Sequence, residues 1–250
     1  MKAGKRIDRR SLIAGSLGVG LALPALPALA QNVCEKKPGT PPALEPERLL
    51  TDWAWLARYR DENAQLLASK AKVHAVFLGD SITEGWRDTQ PDFFAKGNVG
   101  RGISAQTTPQ MLVRMHADVV ALYPKVVHIM AGTNDIAFNT GPMSVDDTKR
   151  NIQAMCDIAR SNKIRIVLAS IPPAAYFPWR QGLETAGTIT ALNGWIHGYA
   201  KAIGATYADY HSAMSNGKGG MKPGLAGDEV HPTAEGYAVM RPIAEAAIKG

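Results

Sequence analysis

The sequence predicts an α/β protein built as a three-layer α/β/α sandwich on a central parallel sheet of about five strands. Three observations lead there. Short, β-branched apolar runs recur at 73–78, 125–130, 164–169 and 205–208. Helical stretches alternate with them, near 108–122, 146–161, 188–203 and 233–248. The chain has 250 residues, 46% hydrophobic and 20% charged, which suits one well-cored domain and excludes a disordered chain or a disulfide-dense miniprotein. Strands separated by helices form βαβ units, whose strands lie parallel and covered on both faces.

The elements follow in order. Residues 1–30 read as an export signal. Lys2, Lys5, Arg6, Arg9 and Arg10 are opposed only by Asp8, Ser11 to Ala30 carry no charge, and the stretch ends Ala28-Leu29-Ala30. A basic start, an apolar middle and a small-x-small end describe a cleaved leader. Arg9-Arg10 resembles a twin-arginine signal, with Leu12 where an aromatic is usual. Twenty uncharged residues could also span a bilayer, but Pro24, Pro27 and the many Ala and Gly make a poor permanent span, so no stable membrane insertion of the mature chain is expected.

The leader also explains the charge. Cleavage after Ala30 removes five of the 28 basic residues and one of the 22 acidic ones, and the net charge falls from +6 to +2. No basic stripe with interleaved aromatics follows, so no nucleic-acid partner is expected. The chain is expected in the periplasm or outside the cell.

Residues 31–46, with Pro38, Pro41, Pro42 and Pro46, read as an extended leader to a single domain at 47–250. From Glu47 to Ser69 a helix fits, with Leu49, Trp53, Leu56, Tyr59 and Leu66 on one face. The two cysteines, Cys34 and Cys156, form no Cys-x-x-Cys, so neither zinc nor redox chemistry is indicated.

In a parallel sheet the reactive residues sit beyond the carboxyl ends of the strands. Gly79-Asp80-Ser81-Ile82-Thr83 follows the first run and places Ser81 where a helix opens. Gly132-Thr133-Asn134-Asp135 follows the run at 125–130. Asp228-Glu229-Val230-His231-Pro232 precedes the last helix. A serine hydroxyl needs a base to take its proton, histidine suits that task near neutrality, and a carboxylate must hold the ring. Of the six histidines only His231 has an Asp three residues earlier. His74 and His128 lie in apolar strands and read as core residues; His116 and His197 fall on helices, and His211 on a helix start. Asp80 reads as a local turn or cap residue. A carboxylate pair of Glu84 and Asp135, as in glycoside hydrolysis, has no other support.

Together Gly79–Thr83, Arg101-Gly102-Ile103-Ser104, Gly132–Asp135 and Asp228-x-x-His231-Pro232 resemble, in order, the blocks of the SGNH (GDSL-like) hydrolase superfamily, from about residue 70 to the C-terminus. The resemblance implies a flavodoxin-like sandwich and a serine esterase or acylhydrolase that needs no cofactor and no metal. It makes Ser81 the nucleophile, His231 the base and Asp228 the orienting acid, with oxyanion donors from the Ser81 and Gly102 backbone N–H groups and the Asn134 amide. The chain departs from the pattern at Gly100, where relatives often have Asn, and at Ala105, where Gly is common. No Gly-x-Ser-x-Gly elbow surrounds Ser81, which argues against the α/β-hydrolase fold.

Trp86, Tyr176, Trp179 and Arg180 are candidates to line the substrate site, the last three on a loop at 171–183. The expected reaction is hydrolysis of short acyl esters, acetyl foremost, on a small molecule or a glycan. The alternatives are a lysophospholipid, thioester or aryl ester handled by the same triad, or a non-catalytic envelope binding protein.

Overall fold

A computed structural model of the chain describes residues 45–249. The export signal expected at 1–30, residues 31–44 of the proline-rich leader, and Cys34 lie outside the described residues. Two helices come first, α1 (Pro46–Thr51) and α2 (Arg60–Ser69), then strand β1 (Ala75–Gly79). Helices α3 (Ser81–Thr89) and α4 (Pro91–Phe94) lead to β2 (Asn98–Gly102), and α5 (Thr108–Arg114) to β3 (Val126–Met130). Helices α6 (Thr133–Ile136) and α7 (Val145–Ser161) precede β4 (Arg165–Ala169), and α8 (Thr185–Ile203) precedes β5 (Thr206–Ala208). Helices α9 (Tyr210–Met214) and α10 (Ala234–Lys249) complete the chain.

All strand pairings are parallel, in the order β2-β1-β3-β4-β5. Every residue of β1, β2 and β3 is buried. Successive side chains of a strand point to opposite faces, so helices must cover both faces of the sheet. Helix α5 packs on α7, and α10 on α3 and α9. After β1 the chain steps one way to β2 and then the other way to β3. That reversal opens a crevice beyond the carboxyl ends of β1 and β3, where ligands of such sheets bind.

An aromatic cluster fills one side of the core. Trp86 stacks on Phe93 at 5.3 Å and on Tyr237 at 5.8 Å, and Phe77 meets Trp86, Phe93 and Phe94 edge-on. His128 is buried as expected, its Nε2 2.8 Å from the Tyr210 hydroxyl, and burial pushes its pKa down to about 3. The ring is therefore neutral. His74 is only half-buried, its Nε2 3.2 Å from the carbonyl of Ile248.

Three expectations about elements need correction. The single helix over 47–69 is two helices, because the Asp52 carboxylate accepts the backbone N–H groups of Leu56 and Ala57, at 2.8 and 2.9 Å, in place of a continuing helical turn. Trp55 there has φ +52, and of the predicted face only Tyr59 is fully buried. The helix expected over 108–122 changes at Met115–Val119 into a wider π turn. There the buried Asp118 meets Arg114 at 2.6 Å and Asn63 at 2.8 Å. The fifth strand is β2, whose Asn-Val-Gly-Arg-Gly lacks the β-branched run that marks the other strands.

Candidate active site

Ser81 is the first residue of α3 and lies directly beyond β1. Asp80 caps that helix, its Oδ1 accepting the N–H of Ile82 at 3.0 Å. The cap leaves the Ser81 N–H at the positive end of the helix, where charge developing on an oxygen is favoured. Burial pushes the Asp80 carboxyl up to about 6, against the opposing pull of the Ile82 N–H and of His231.

His231 and Asp228 come from one tight turn before α10. Asp228 Oδ1 accepts the N–H groups of Val230 and His231, at 3.2 and 2.8 Å, while Oδ2 lies 2.7 Å from His231 Nδ1. Glu229, between them, takes φ +73, and buried Val230 anchors the turn. Burial alone would raise the Asp228 carboxyl; the backbone and ring of His231 outweigh it and hold the group below the usual carboxylate range. The far ring nitrogen, His231 Nε2, lies 2.8 Å from Ser81 Oγ. Helix α10, which the turn precedes, is tied to the helix that opens at Ser81, since the Tyr237 hydroxyl donates to the Ile82 carbonyl at 2.9 Å.

Asn134 sits in α6 beyond β3, across the crevice. Its Nδ2 donates to the carbonyl of Gln106 at 3.1 Å, and its Oδ1 accepts from Asn139 Nδ2 at 2.7 Å. The loop from β2 to α5 runs between Ser81 and Asn134. Among the described residues its backbone N–H groups from Ile103 to Thr108 all have partners except that of Ala105. Ala105 is buried at φ +65, a conformation that costs an alanine more than the glycine usual at this place.

A hydroxyl, an imidazole and a carboxylate thus stand in hydrogen-bond contact, in the relation by which a base activates a serine. A model of the GDSL-like lipase/acylhydrolase family matches residues 77–239. The chain belongs to that family. It is accordingly an ester-bond hydrolase of the SGNH superfamily with the flavodoxin-like fold. A GDSL-like lipase from Bacteroides thetaiotaomicron is 44% identical, over 78% of this chain and 98% of that one, with a TM-score of 0.74. A protein from Bacteroides fragilis is 43% identical, over 79% and 97%, with a TM-score of 0.75. More distantly, a catalytic mutant of an acetylxylan esterase from Geobacillus stearothermophilus shares the fold at 19% identity and a TM-score of 0.55, over 70% and 94%. No curated protein matches.

In this GDSL-like hydrolase the expected substrate residues separate. Trp86 is not at the site: it is fully buried in the aromatic cluster, because its place on α3 faces β1 and α10 rather than the crevice. Trp179 is 42% exposed, with its ring 6.2 Å from that of His231 and stacked at 5.3 Å on buried Phe177. Tyr176 is exposed. Arg180 anchors the loop, its Nε donating to the Ala137 carbonyl at 2.9 Å. Gly102 packs against the first turn of α3: a Cβ there would stand 2.6 Å from the Asp80 carbonyl oxygen and 2.7 Å from the Thr83 carbonyl carbon. Ile103, not Gly102, donates its N–H to Gly79, so the Gly102 peptide turns outward, where Tyr59 donates to its carbonyl.

Sequence reasoning passed over Glu84 as anything but half of a glycosidase pair, and missed Asn139 and Arg58 altogether. Glu84 lies one turn beyond Ser81 and is bonded to Ser104 and Arg58. The spacing from Ser81 was the available signal for Glu84; Asn139 stands in a loop with no periodic pattern, and Arg58 in the turn after Asp52 that the helical pattern over 47–69 concealed.

Proposed function

We propose that this GDSL-like hydrolase is an exported serine esterase that removes short acyl groups, acetyl foremost, from a carbohydrate. The contact that carries the reading is Ser81 Oγ to His231 Nε2 at 2.8 Å, continued by His231 Nδ1 to Asp228 at 2.7 Å. His231 takes the Ser81 proton as Oγ attacks the ester carbonyl, and Asp228 steadies the imidazolium. The tetrahedral oxyanion is met by the Ser81 N–H, one Asn134 amide hydrogen and the otherwise unpartnered N–H of Ala105, while Gly102 supplies the close packing that sets this loop. His231 returns the proton to the leaving alcohol. Water then attacks the acyl-enzyme with His231 again as base, releasing the carboxylic acid and restoring Ser81. No cofactor enters any step.

Two observations support the substrate class. Trp179, half-exposed beside His231 and backed by Phe177, offers a rigid flat face of the kind that stacks on a sugar ring. Proteins of the same fold include acetylxylan esterases, at 23% and 19% identity. The basic, uncharged and small-residue pattern of residues 1–30 supports export to the periplasm or beyond.

Ser81→Ala should lower kcat on p-nitrophenyl acetate by at least about 10⁴-fold; retained activity would refute the mechanism. In a series from acetyl to octanoyl esters the wild-type rate should fall steeply beyond four carbons, and acetate should be released from acetylated glycans. Preference for lysophospholipid would overturn the substrate reading. A mature N-terminus other than Gln31 after secretion would refute cleavage at Ala30.

A further inference from the structure

A line of hydrogen bonds joins the aromatic wall of the site to Asn134. Trp179 Nε1 donates to Asn139 Oδ1 at 3.1 Å, Asn139 Nδ2 donates to Asn134 Oδ1 at 2.7 Å, and Asn134 Nδ2 donates to the Gln106 carbonyl at 3.1 Å. An indole N–H can only donate and a backbone carbonyl can only accept. The polarity of the line is therefore fixed at both ends, and with it the orientation of both amides. Asn139 is held in place by its own backbone, whose N–H donates to the Asn134 carbonyl at 3.1 Å after the chain turns at Phe138, φ +56. Its second amide hydrogen points to the carbonyl of Ala105 at 3.5 Å.

An asparagine amide has two nearly isosteric orientations, and only one of them offers the oxyanion a donor. We propose that Asn139 is a positioning residue that selects the donor orientation of Asn134, and that Trp179 locks Asn139 in turn. With Asn139 Nδ2 against it, Asn134 must present Oδ1 to Asn139 and keep both hydrogens of Nδ2 on the opposite side. One of these goes to Gln106 and the other is available to the reacting ester. Asn139 touches no reacting atom; it acts through Asn134. The inference rests on the oxyanion role proposed above for Asn134.

The test is a double-mutant cycle on the purified enzyme with p-nitrophenyl acetate. Asn134→Ala should lower kcat by about 10²–10³-fold, the usual loss for one oxyanion donor. Asn139→Asp keeps the shape but places an acceptor against Asn134 Oδ1, so it should drive the amide into its wrong orientation and lower kcat roughly 10- to 100-fold with little change in KM. Asn139→Ala merely removes the constraint and should cost less than Asn139→Asp; a scaffold role predicts the reverse ranking. Trp179→Phe, which keeps the ring and loses the N–H, should lower kcat by a few-fold and serves if a change at Asn139 prevents folding. In the Asn134→Ala background the substitutions at Asn139 and Trp179 should lower kcat no further. Additive losses in that background, or full kcat in Asn139→Asp with an unshifted melting temperature, would overturn the proposal alone. Full kcat in Asn134→Ala would remove the oxyanion reading and the proposal with it.

Discussion

Glu84 Oε2 accepts both the backbone N–H and the hydroxyl of Ser104, at 2.8 and 2.6 Å. Glu84 is three residues beyond Ser81 on the same helix, so the element that opens at Ser81 also grips the loop that follows β2. Arg58 Nη2 holds the other carboxylate oxygen at 3.2 Å. Replacing Glu84 by Ala should release Ser104 and the neighbouring Ala105, with a fall in kcat of roughly tenfold or more, about 1.4 kcal/mol on the barrier. Glu84→Gln, which can still accept one of the two bonds, should fall in between. Steady-state kinetics on a short ester, with melting curves for both variants, checks the ranking; equal activity of all three proteins would show that the grip has no catalytic consequence.

Asp80 makes stability depend on pH. Its carboxyl is raised from 3.8 to about 6, burial being the main cause, so the folded chain binds a proton there more readily than the unfolded one. The corresponding stabilisation is present in full below pH 4 and is lost as the pH rises through 6, an effect of roughly 3 kcal/mol. Asp80→Asn keeps an acceptor for the Ile82 N–H without the buried charge. Its melting temperature should exceed that of the wild type at pH 7.5, with the difference shrinking towards pH 4. Asp228, held low, acts in the opposite sense in both proteins and drops out of the comparison. A difference independent of pH would contradict the assignment.

Trp86 should behave as core and not as pocket. With its indole fully buried and stacked on Phe93 and Tyr237, Trp86→Ala should cost about 3–5 kcal/mol of stability. Denaturant unfolding measures the loss, and the KM of whatever folded protein remains should stay near that of the wild type. A large rise in KM at unchanged stability would restore Trp86 to the substrate site.

Cys156 is buried on α7, and burial pushes its thiol up to about 12. A thiol is reactive through its thiolate, so this one should be inert in the native protein. Iodoacetamide at pH 8 should leave Cys156 unmodified in folded protein and alkylate it in guanidinium, as read by peptide mass spectrometry. Rapid native modification would show that α7 opens.

Much of this was legible in the sequence, for physical reasons that differ from residue to residue. β1, β3 and β4 are buried on both faces and so appear as unbroken apolar runs. α7 and α8 announce themselves by length and periodicity. Ser81 and Asn134 follow such runs directly, and Asp228 and His231 are joined by a local turn, so sequence spacing reports their geometry. Trp86 misled because an aromatic five residues past Ser81 is near it along the chain yet on the inner side of the helix. β2 gave no apolar run, since two of its five residues are glycines, Gly102 being required by close packing, and one is the buried Arg101. Arg58 and Asn139 act through contacts made 26 and five residues away, and only the folded chain shows what they touch.

β2 lies at the margin of the sheet, yet two of its outward carbonyls are already occupied: Gly100 accepts from the Arg101 guanidinium at 2.7 Å and Gly102 from the Tyr59 hydroxyl. Asn63 of α2 holds the same guanidinium at 2.7 and 2.9 Å. A bare margin strand is a template on which foreign strands can assemble. Here residues 45–69, upstream of the stretch that matches the family, work as a stopper: Tyr59 fills one carbonyl and Asn63 holds the guanidinium that fills the other, so a foreign strand would have to displace side-chain donors before it could pair there.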